Sequence, residues 1–447
     1  MHIKFYLPSK ISTVNNQNKI FLFLRNSYRI ISSTFYIIIL AFIFSACSSS
    51  KRFTSHEESY TNKHENKNAN ENVETDLNSI RVFLDEKPAA LYITVQNKVY
   101  LFNEKRKVAE VNSGNTIECY SNSQTVSIKI DRQNFIGKYF QIVAANENAV
   151  KYNGKSYKGS LRIVSTGKSV VLVNFIDLEN YLKGVIAKEM PIGTNKENFE
   201  ALKAFAICAR TYAVAKMYEG SLLYDIFPDT RDQVYGGETA EQRISNEAIE
   251  NTSGTILSYN SEPAKVYYHS TCGGETENVE NVFPRPPVPY LISVDDGSNP
   301  YCKISPRYAW EEVYSANDII QKLYNSNVIL STNYTLDDIE IVEKYNSGRV
   351  KELEIDLNSG DGRKEIHLYG NEIRFKLRTP VKNLVLWSTL FTIKKGNSNT
   401  YIFEGRGYGH GVGFCQWGAI GRSKAGQDYK EILAHYFPGT SLSKIND

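Results

Sequence analysis

The hydrophobic pattern of this chain changes its period near residue 180, and this change restricts the fold class more than any other feature. Between residues 80 and 176, short runs rich in Val, Ile, Tyr and Phe alternate with Gly, Asn and Ser, which predicts strands. From residue 196 to 218, apolar residues recur every three or four positions, which predicts a helix. The sequence Thr194–Glu197 has the capping-box form that precedes such a helix.

The remaining chain adds a second β region and a glycine-rich end. Residues 315–324 predict a short capped helix, and residues 339–357 predict a hairpin with the turn Asn-Ser-Gly. A glycine-dense loop follows at residues 405–426. We predict an α+β fold: a β-rich part at 79–176, then a core at 177–443 that has a central helix and an inserted β region at about 310–405.

The first 47 residues have the features of an export signal. Arg25 and Arg29 precede an apolar run at residues 35–46, which is shorter than the about 20 residues that a membrane-spanning helix needs. The run ends in Phe-Ser-Ala-Cys, which predicts a lipoprotein leader with Cys47 as the lipidated residue. An ordinary signal peptide with an incidental cysteine, or an uncleaved anchor, fits the same residues.

The composition of the next segment and of the whole chain restricts partners. Residues 48–78 are rich in Asn, Glu, Lys and Ser and almost free of aliphatic residues, which predicts a disordered tether. The formal net charge is only +3 and no Lys/Arg-rich patch stands out, so nucleic acid is not a predicted partner. The 30 tyrosines and 21 phenylalanines are compatible with sugar stacking, but most aromatic residues form cores.

Six segments, taken in order, resemble the SpoIID/LytB family of bacterial cell-wall proteins over roughly residues 79–443. They are LENYLKGVIAKEMP, EALKAFAICARTYA, DTRDQVYGG, YYHSTCGG, GRGYGHGVGFCQWGA and ILAHYFPGT. The resemblance implies a lytic transglycosylase that cleaves the MurNAc-GlcNAc β-1,4 bond of peptidoglycan glycan strands and leaves a 1,6-anhydro-MurNAc end. The LytB branch implies an alternative: an amidase enhancer that binds glycan without cleaving it. The resemblance also implies a cell-wall amidase as a partner. Together with the lipoprotein leader, it predicts a location in the cell envelope, anchored to the membrane through lipid and facing the periplasm or exterior.

Glu189 falls on the catalytic Glu of the family's EMP motif. It follows β-like sequence and precedes the predicted helix, so a surface charge near a helix start is the competing interpretation. A general acid needs a raised pKa, and apolar neighbours such as Ile186 and Met190 are compatible with this. A plain hydrolase would need a second carboxylate about 5–10 Å away, with Asp229 and Asp232 as the first candidates.

Further residues are predicted to bind substrate. The resemblance places Lys203 and Arg210 on the family's helix, where Arg suits a lactyl carboxylate. A salt bridge between Glu200 and Lys203 is the alternative for the lysine. The other candidates lie in two turn-rich segments: Asp232, Gln233 and Tyr235, then His410, Gln416 and Trp417. We expect His410 to help build the site rather than transfer the proton.

The sequence departs from the family pattern at three places. The segment between Glu189 and the helix is about three residues longer, Phe205 replaces the usual Gln, and Cys415 and Trp417 replace Ser and Tyr. The last two differences concern substrate preference more than reaction type.

The cysteines leave three alternatives open. His269, Cys272 and Cys302 have ligand types that suit a structural Zn²⁺, although the predicted chemistry requires no cofactor. A Cys272–Cys302 disulfide is natural outside the cytosol, and two free thiols are the third alternative. Cys119 and Cys208 are predicted to be buried as small apolar residues.

Overall fold

The computed structural model describes residues 79–145, 150–194, 196–219, 223–360 and 362–445. The predicted leader, the predicted tether and Cys47 lie outside these ranges, so they remain predictions. Within the described ranges, no helix has both the length and the hydropathy to cross a membrane.

The β-rich part consists of two six-stranded antiparallel sheets. Elements are numbered here in chain order. The first sheet has the spatial order β1 (Ser79–Lys87), β12 (Val170–Asp177), β11 (Ser160–Ser165), β8 (Tyr139–Ala144), β3 (Val99–Asn103), β4 (Arg106–Val111). The second has the order β10 (Lys155–Tyr157), β9 (Val150–Tyr152), β2 (Ala90–Thr94), β5 (Thr116–Asn122), β6 (Thr125–Ile130), β7 (Gln133–Gly137). Strands such as β2 bury alternate residues, and the buried side chains of both sheets share one hydrophobic core.

A bundle of helices continues this core. Helix α1 (Leu178–Glu189) follows β12 directly, and Asp177 caps it by accepting a hydrogen bond from the amide of Asn180. Helix α2 (Phe199–Glu219) begins three residues later than the predicted start at 196 and lies in the middle of the bundle, with most of its side chains buried. Its run of alanines lets neighbouring elements approach closely, as expected for a central helix. Helix α3 (Arg243–Glu250) packs against both.

The C-terminal segments return to this core. Helices α6 (Gln416–Lys424) and α7 (Tyr429–Tyr436) pack against α2. A small antiparallel sheet joins β14 (Glu262–Pro263), β13 (Thr255–Tyr259) and β23 (Ser441–Lys444), and a parallel pair joins β15 (Tyr268–His269) to β22 (Phe414–Cys415). Short 3-10 turns occur at Glu238–Ala240, Val279–Asn281 and Tyr301–Ile304.

The region between residues 309 and 406 has a second hydrophobic core. One three-stranded sheet has the order β16 (Ala309–Ser315), β21 (Thr400–Arg406), β20 (Phe391–Lys395), and another has the order β17 (Thr335–Lys344), β18 (Val350–Ser359), β19 (Gly362–Tyr369). The helices here are α4 (Ala316–Asn325) and α5 (Glu372–Lys376). Ser315 and Asp318 form a capping box at α4, and the predicted hairpin is the β17–β18 pair. The α+β prediction is confirmed.

Candidate active site

Glu189 is the last residue of α1 and is half-buried. The segment between the last predicted strand and the predicted long helix therefore contains a helix of its own, α1, which the sequence analysis did not predict. The amide of Val234 donates a hydrogen bond of 2.6 Å to Oε1 of Glu189. Among the described residues, no hydrogen bond reaches Oε2, so that oxygen is free to hold a proton for a ligand.

The surroundings of Glu189 favour its protonated form. Burial raises the pKa of the Glu189 carboxyl, and the hydrogen bond from Val234 only partly opposes that shift. The C-terminal end of a helix carries partial negative charge, which also disfavours a carboxylate. A helix-start charge, the competing interpretation from sequence, would be stabilised by its helix, whereas Glu189 lies at the opposite end.

Three tyrosines from separate elements surround this region. Tyr181 of α1 donates a hydrogen bond to Oε1 of Gln233 at 3.1 Å. Tyr212 of α2 and Tyr268 of β15 contact each other edge to face. Burial raises the pKa of all three hydroxyls well above the usual value, so each remains a neutral donor.

The buried hydroxyl of Tyr268 differs from the other two because no described residue accepts its proton, although the Gln233 side chain is close enough to act as a donor to its oxygen. The charge of Glu189 acts on this hydroxyl and on that of Tyr181, which indicates that both lie near the carboxyl group. A buried hydroxyl whose proton has no acceptor is costly, so Tyr268 is a candidate donor to a bound ligand.

Asp232 contacts this arrangement through Tyr212, and its charge acts on the hydroxyls of all three tyrosines. Its side chain accepts hydrogen bonds from the Tyr212 hydroxyl at 2.7 Å and from the Phe227 amide at 2.8 Å. The ammonium group of Lys216 lies 3.4 Å from Oδ1. Protein donors thus occupy both oxygens. Asp229 is instead paired with Arg231 in an exposed turn.

The structure gives Arg210 a different role from the predicted one. Its side chain is fully buried, and its Nε and Nη2 donate to the two carboxylate oxygens of Glu179 at 2.7 Å each. Nη1 donates to the carbonyl of Thr255 at 3.0 Å. The guanidinium group is inaccessible to a glycan, because it makes its bidentate contact with a carboxylate inside the protein.

Lys203 forms the salt bridge with Glu200 that the sequence analysis gave as the alternative to substrate binding. Its ammonium group lies 2.6 Å from Oε1 of Glu200, in the predicted i,i+3 pair, and also lies over the ring of Tyr429. Its role in substrate binding stays a prediction.

Gln233 and Tyr235 are almost completely buried, which differs from the expectation that they line a binding surface. The hydroxyl of Tyr235 donates to Oδ1 of Asn174 at 3.0 Å, which connects the helical bundle to strand β12. Its ring lies against Gly184 of α1, where an added Cβ would be 2.5 Å from the ring. Both residues therefore support the segment that supplies the Val234 amide.

The glycine-rich loop lies along residues 267–277. Gly407 and Gly413 have positive φ angles, and an added Cβ at either would lie within 2.8 Å of the facing backbone oxygen. His410 is held by the backbone: its Nδ1 accepts from Val412 and its Nε2 donates to the carbonyl of Tyr268. Burial lowers the pKa of His410 well below its usual value, so the neutral imidazole is held between the backbone of Tyr268 and that of Val412.

The other two candidates of this loop differ in their exposure. Gln416 is buried, whereas Trp417 is partly exposed and packs against the main core. The Trp417 amide donates to the carbonyl of Ser270 at 3.0 Å. Stacking of Trp417 on a sugar remains a prediction.

A cluster of thiols lies behind β15. The cysteines of the described ranges are free thiols and buried, and the sulfur atoms of Cys272 and Cys302 are 3.4 Å apart. The sulfur of Cys415 joins them, because it lies within 4.8 Å of the sulfur of Cys272. Hydrogen bonds with Cys272 and Cys415 lower the pKa of the Cys302 thiol. Cys119 and Cys208 are buried away from this cluster, as predicted.

Sequence reasoning missed Tyr181, Tyr268 and Cys415 as site residues. Tyr268 had a signal, because it immediately precedes the HSTC segment already considered for metal binding. Tyr181 lies eight residues before Glu189, which puts both on α1 only once that helix is assigned.

Comparisons with known protein sequences find relatives of this chain. A family model described as "Stage II sporulation protein" (SpoIID) matches residues 166–259, and a "Domain of unknown function" (DUF8618) matches residues 290–413. An uncharacterized protein of Brachyspira hyodysenteriae is 31% identical over 374 residues, covering 83% of this chain and 94% of that protein.

Two relatives from Bacillus subtilis have names that refer to function. The stage II sporulation protein D is 34% identical over 291 residues, covering 61% of this chain and 76% of that protein. The amidase enhancer is 30% identical over 387 residues, covering 78% of this chain, which spans only 52% of that longer protein. The chain therefore belongs to the SpoIID/LytB family. Membership supports a role at the bacterial cell wall.

Proposed function

We propose that this protein is a peptidoglycan lytic transglycosylase in which Glu189 is both acid and base. The single observation that supports this most is the position of the Glu189 carboxyl group: burial raises its pKa, and the described residues give one backbone donor to Oε1 and none to Oε2. A raised pKa keeps a carboxyl group protonated to a higher pH than an ordinary glutamate, as a general acid requires.

In the proposed reaction, Oε2 of protonated Glu189 gives its proton to the glycosidic oxygen as the bond from that oxygen to C1 of MurNAc breaks. The leaving sugar keeps the bonding electrons and the proton. The resulting carboxylate then takes the proton of the MurNAc C6 hydroxyl, whose oxygen forms the new bond to C1. The product carries a 1,6-anhydro ring and Glu189 is again protonated. The nucleophile belongs to the substrate, so its effective concentration is high.

The state of Asp232 supports this reaction over hydrolysis. A hydrolase needs a second carboxylate that activates water or attacks C1. The oxygens of Asp232 already accept hydrogen bonds from Tyr212 and Phe227, so this residue is not prepared for either task. Tyr268, whose hydroxyl proton has no acceptor among the described residues, is a candidate to bind the sugar beside Glu189.

The second candidate function is that of an amidase enhancer that binds glycan strands and assists a cell-wall amidase. The similarity to the Bacillus subtilis amidase enhancer favours it. The two functions differ in one property: only the transglycosylase needs a titrating proton at Glu189.

The testing experiment is to compare Glu189→Gln with the unmutated protein on purified glycan strands. Cleavage should fall by at least about 10²-fold, while binding to sedimented glycan is retained, because Gln keeps the shape without the proton. Glu250→Gln, on the surface of α3, is the matched control and should cleave normally. Binding without cleavage by the unmutated protein would favour the enhancer.

We also propose a membrane anchor through Cys47 at the cell envelope, with the residues after it as a tether. The support is the leader-like sequence before Cys47 and its position next to a polar segment. Cys47→Ala should move the protein from the membrane fraction to the soluble fraction or block its processing. Unchanged fractionation together with unchanged migration on gels would contradict lipidation.

A further inference from the structure

Four ligand-type side chains from three distant segments meet in the core behind β15. The ligand atoms of His269, Cys272 and Cys415 lie within 4.8 Å of one another, and Cys302 adds a sulfur 3.4 Å from that of Cys272. All four residues are buried. Cys302 lies in a 3-10 turn, and Cys415 is the N-cap residue of α6. The cluster therefore joins parts of the chain that are far apart in sequence.

The orientation of His269 is independent support for a ligand. Its Nδ1 lies 3.1 Å from the carbonyl oxygen of Val412, which requires the proton on Nδ1. Nε2 therefore carries a lone pair, and it is buried with no hydrogen-bond partner in the described part of the chain. Metal-binding histidines use this arrangement, with one nitrogen donating to a carbonyl and the other facing the metal.

We propose that Cys272, Cys302, Cys415 and His269 form a structural zinc site. Tetrahedral zinc with bonds of about 2.3 Å to sulfur separates neighbouring sulfurs by about 3.8 Å, close to the observed Cys272–Cys302 distance. Three thiolates and one imidazole are a known ligand set for structural zinc. Cys415 replaces the Ser of the family pattern, so this chain has a ligand that the pattern does not supply.

The charges around the cluster agree with a bound metal. Zinc with three thiolates carries one negative charge. Arg349 is fully buried, donates to the carbonyl of Cys272 at 2.7 Å, and has an Nε without a partner among the described residues. Arg422 pairs with Asp296, so these two charges offset each other. A carboxylate oxygen of Asp296 also lies within 4.8 Å of the sulfurs of Cys272 and Cys302. We assign Asp296 to the outer shell because its oxygens already accept from Arg422 and from the Cys302 amide.

The proposed zinc site would also stabilise the geometry of the candidate active site. His269 and Tyr268 are neighbours in β15, so their side chains point to opposite faces of the strand. One faces the cluster and the other faces the region of Glu189. Because β15 pairs with β22, which contains Cys415, a metal bound to His269 and Cys415 would fix this pair of strands and thereby the position of the Tyr268 hydroxyl.

The test measures metal in purified full-length protein prepared under reducing conditions and dialysed against a weak chelator. We expect about one zinc per chain in the unmutated protein and in the control Cys119→Ala, whose thiol is remote from the cluster. Cys415→Ser should retain at least about tenfold less zinc. A strong chelator should lower the Tm of the unmutated protein by at least about 5 °C, and added zinc but not magnesium should restore it.

Several outcomes would overturn the site. Folded, reduced protein that takes up no zinc would exclude it, and so would a Cys272–Cys302 disulfide found by peptide mapping of alkylated protein from the cell envelope. Full zinc retention by Cys415→Ser would remove Cys415 from the ligand set. If that variant does not fold, the chelator and zinc experiments on the unmutated protein decide the question.

Discussion

The amide nitrogen of Val234 lies 2.6 Å from Oε1 of Glu189 and donates a hydrogen bond to it. Among the described residues, no other group donates a hydrogen bond to this carboxyl group. The two residues are far apart in sequence and meet because Gln233 and Tyr235, on either side of Val234, are buried in the core. One donor fixes the orientation of the carboxyl group without supplying the several hydrogen bonds that would stabilise its charge. The geometry thus suits an acid better than a permanent anion.

The raised pKa of Glu189 predicts how its replacement affects stability with pH. The folded protein holds the Glu189 proton more tightly than the unfolded chain, so this residue contributes stability below the unfolded pKa of about 4.3, and the contribution disappears as pH rises through the folded pKa. Glu189→Gln stays neutral. Its Tm should therefore match the unmutated protein in acid and exceed it at alkaline pH, as measured by thermal unfolding across pH.

The control for this prediction is Glu250→Gln, because the Glu250 side chain is exposed and pairs with Lys183. It should show no gain at alkaline pH. A Glu189→Gln variant that loses stability progressively as pH rises would mean that the ionised carboxylate is stabilised by the fold.

The buried pair of Arg210 and Glu179 predicts a large effect on stability. Glu179→Ala leaves the Arg210 charge in the core without its partner, which should lower the free energy of unfolding by about 3–5 kcal/mol. Glu200→Ala removes the more exposed partner of Lys203 and should cost only about 0.2–0.5 kcal/mol. Urea unfolding of both variants makes the comparison.

Arg210→Lys separates the structural role from substrate binding. Lys cannot reproduce the bidentate contact, so the variant should unfold at a lower temperature but cleave glycan normally at temperatures where it is folded. A variant with normal stability and strongly reduced cleavage would restore Arg210 as a substrate-binding residue.

The hydroxyl of Tyr268 predicts different effects on stability and activity. Tyr268→Phe removes a hydroxyl whose proton no described residue accepts, so the Tm should be unchanged or higher. If the hydroxyl donates to the bound sugar, kcat/KM should fall by about 10²-fold or more. Tyr212→Phe is the matched control, because it breaks a hydrogen bond to Asp232 and should lower the Tm. Unchanged kcat/KM for Tyr268→Phe would exclude this role.

The sequence predicts the order of elements well where the pattern is local. The capping box at Ser315, the hairpin of β17 and β18, and the long buried helix α2 all follow from spacing and turn residues. Helix α1 was missed because it begins directly after the β-branched run of β12, so the segment was interpreted as a passage from strand to helix. Its N-terminal signal, Asp177, lies within the end of that strand.

The candidate site depends more strongly on contacts that are distant in sequence. Nothing near Arg210 in the chain indicates that Glu179 will occupy its guanidinium group, because the two residues meet only when α1 packs against α2. Likewise Cys415 reaches Cys272 and His269 only through the parallel pairing of β15 and β22. The position of Glu189 was predicted through family resemblance, whereas its helix-end location and its donor required the fold.

The central claim is that the glycan itself, and not water, supplies the nucleophile. The most direct measurement is mass analysis of the products after digestion of purified glycan strands in water labelled with heavy oxygen. We predict MurNAc ends that are one water lighter than reducing ends and that contain no heavy oxygen, since the C6 hydroxyl closes the ring. Reducing ends that carry one heavy oxygen would contradict the claim and would indicate hydrolysis assisted by a second carboxylate.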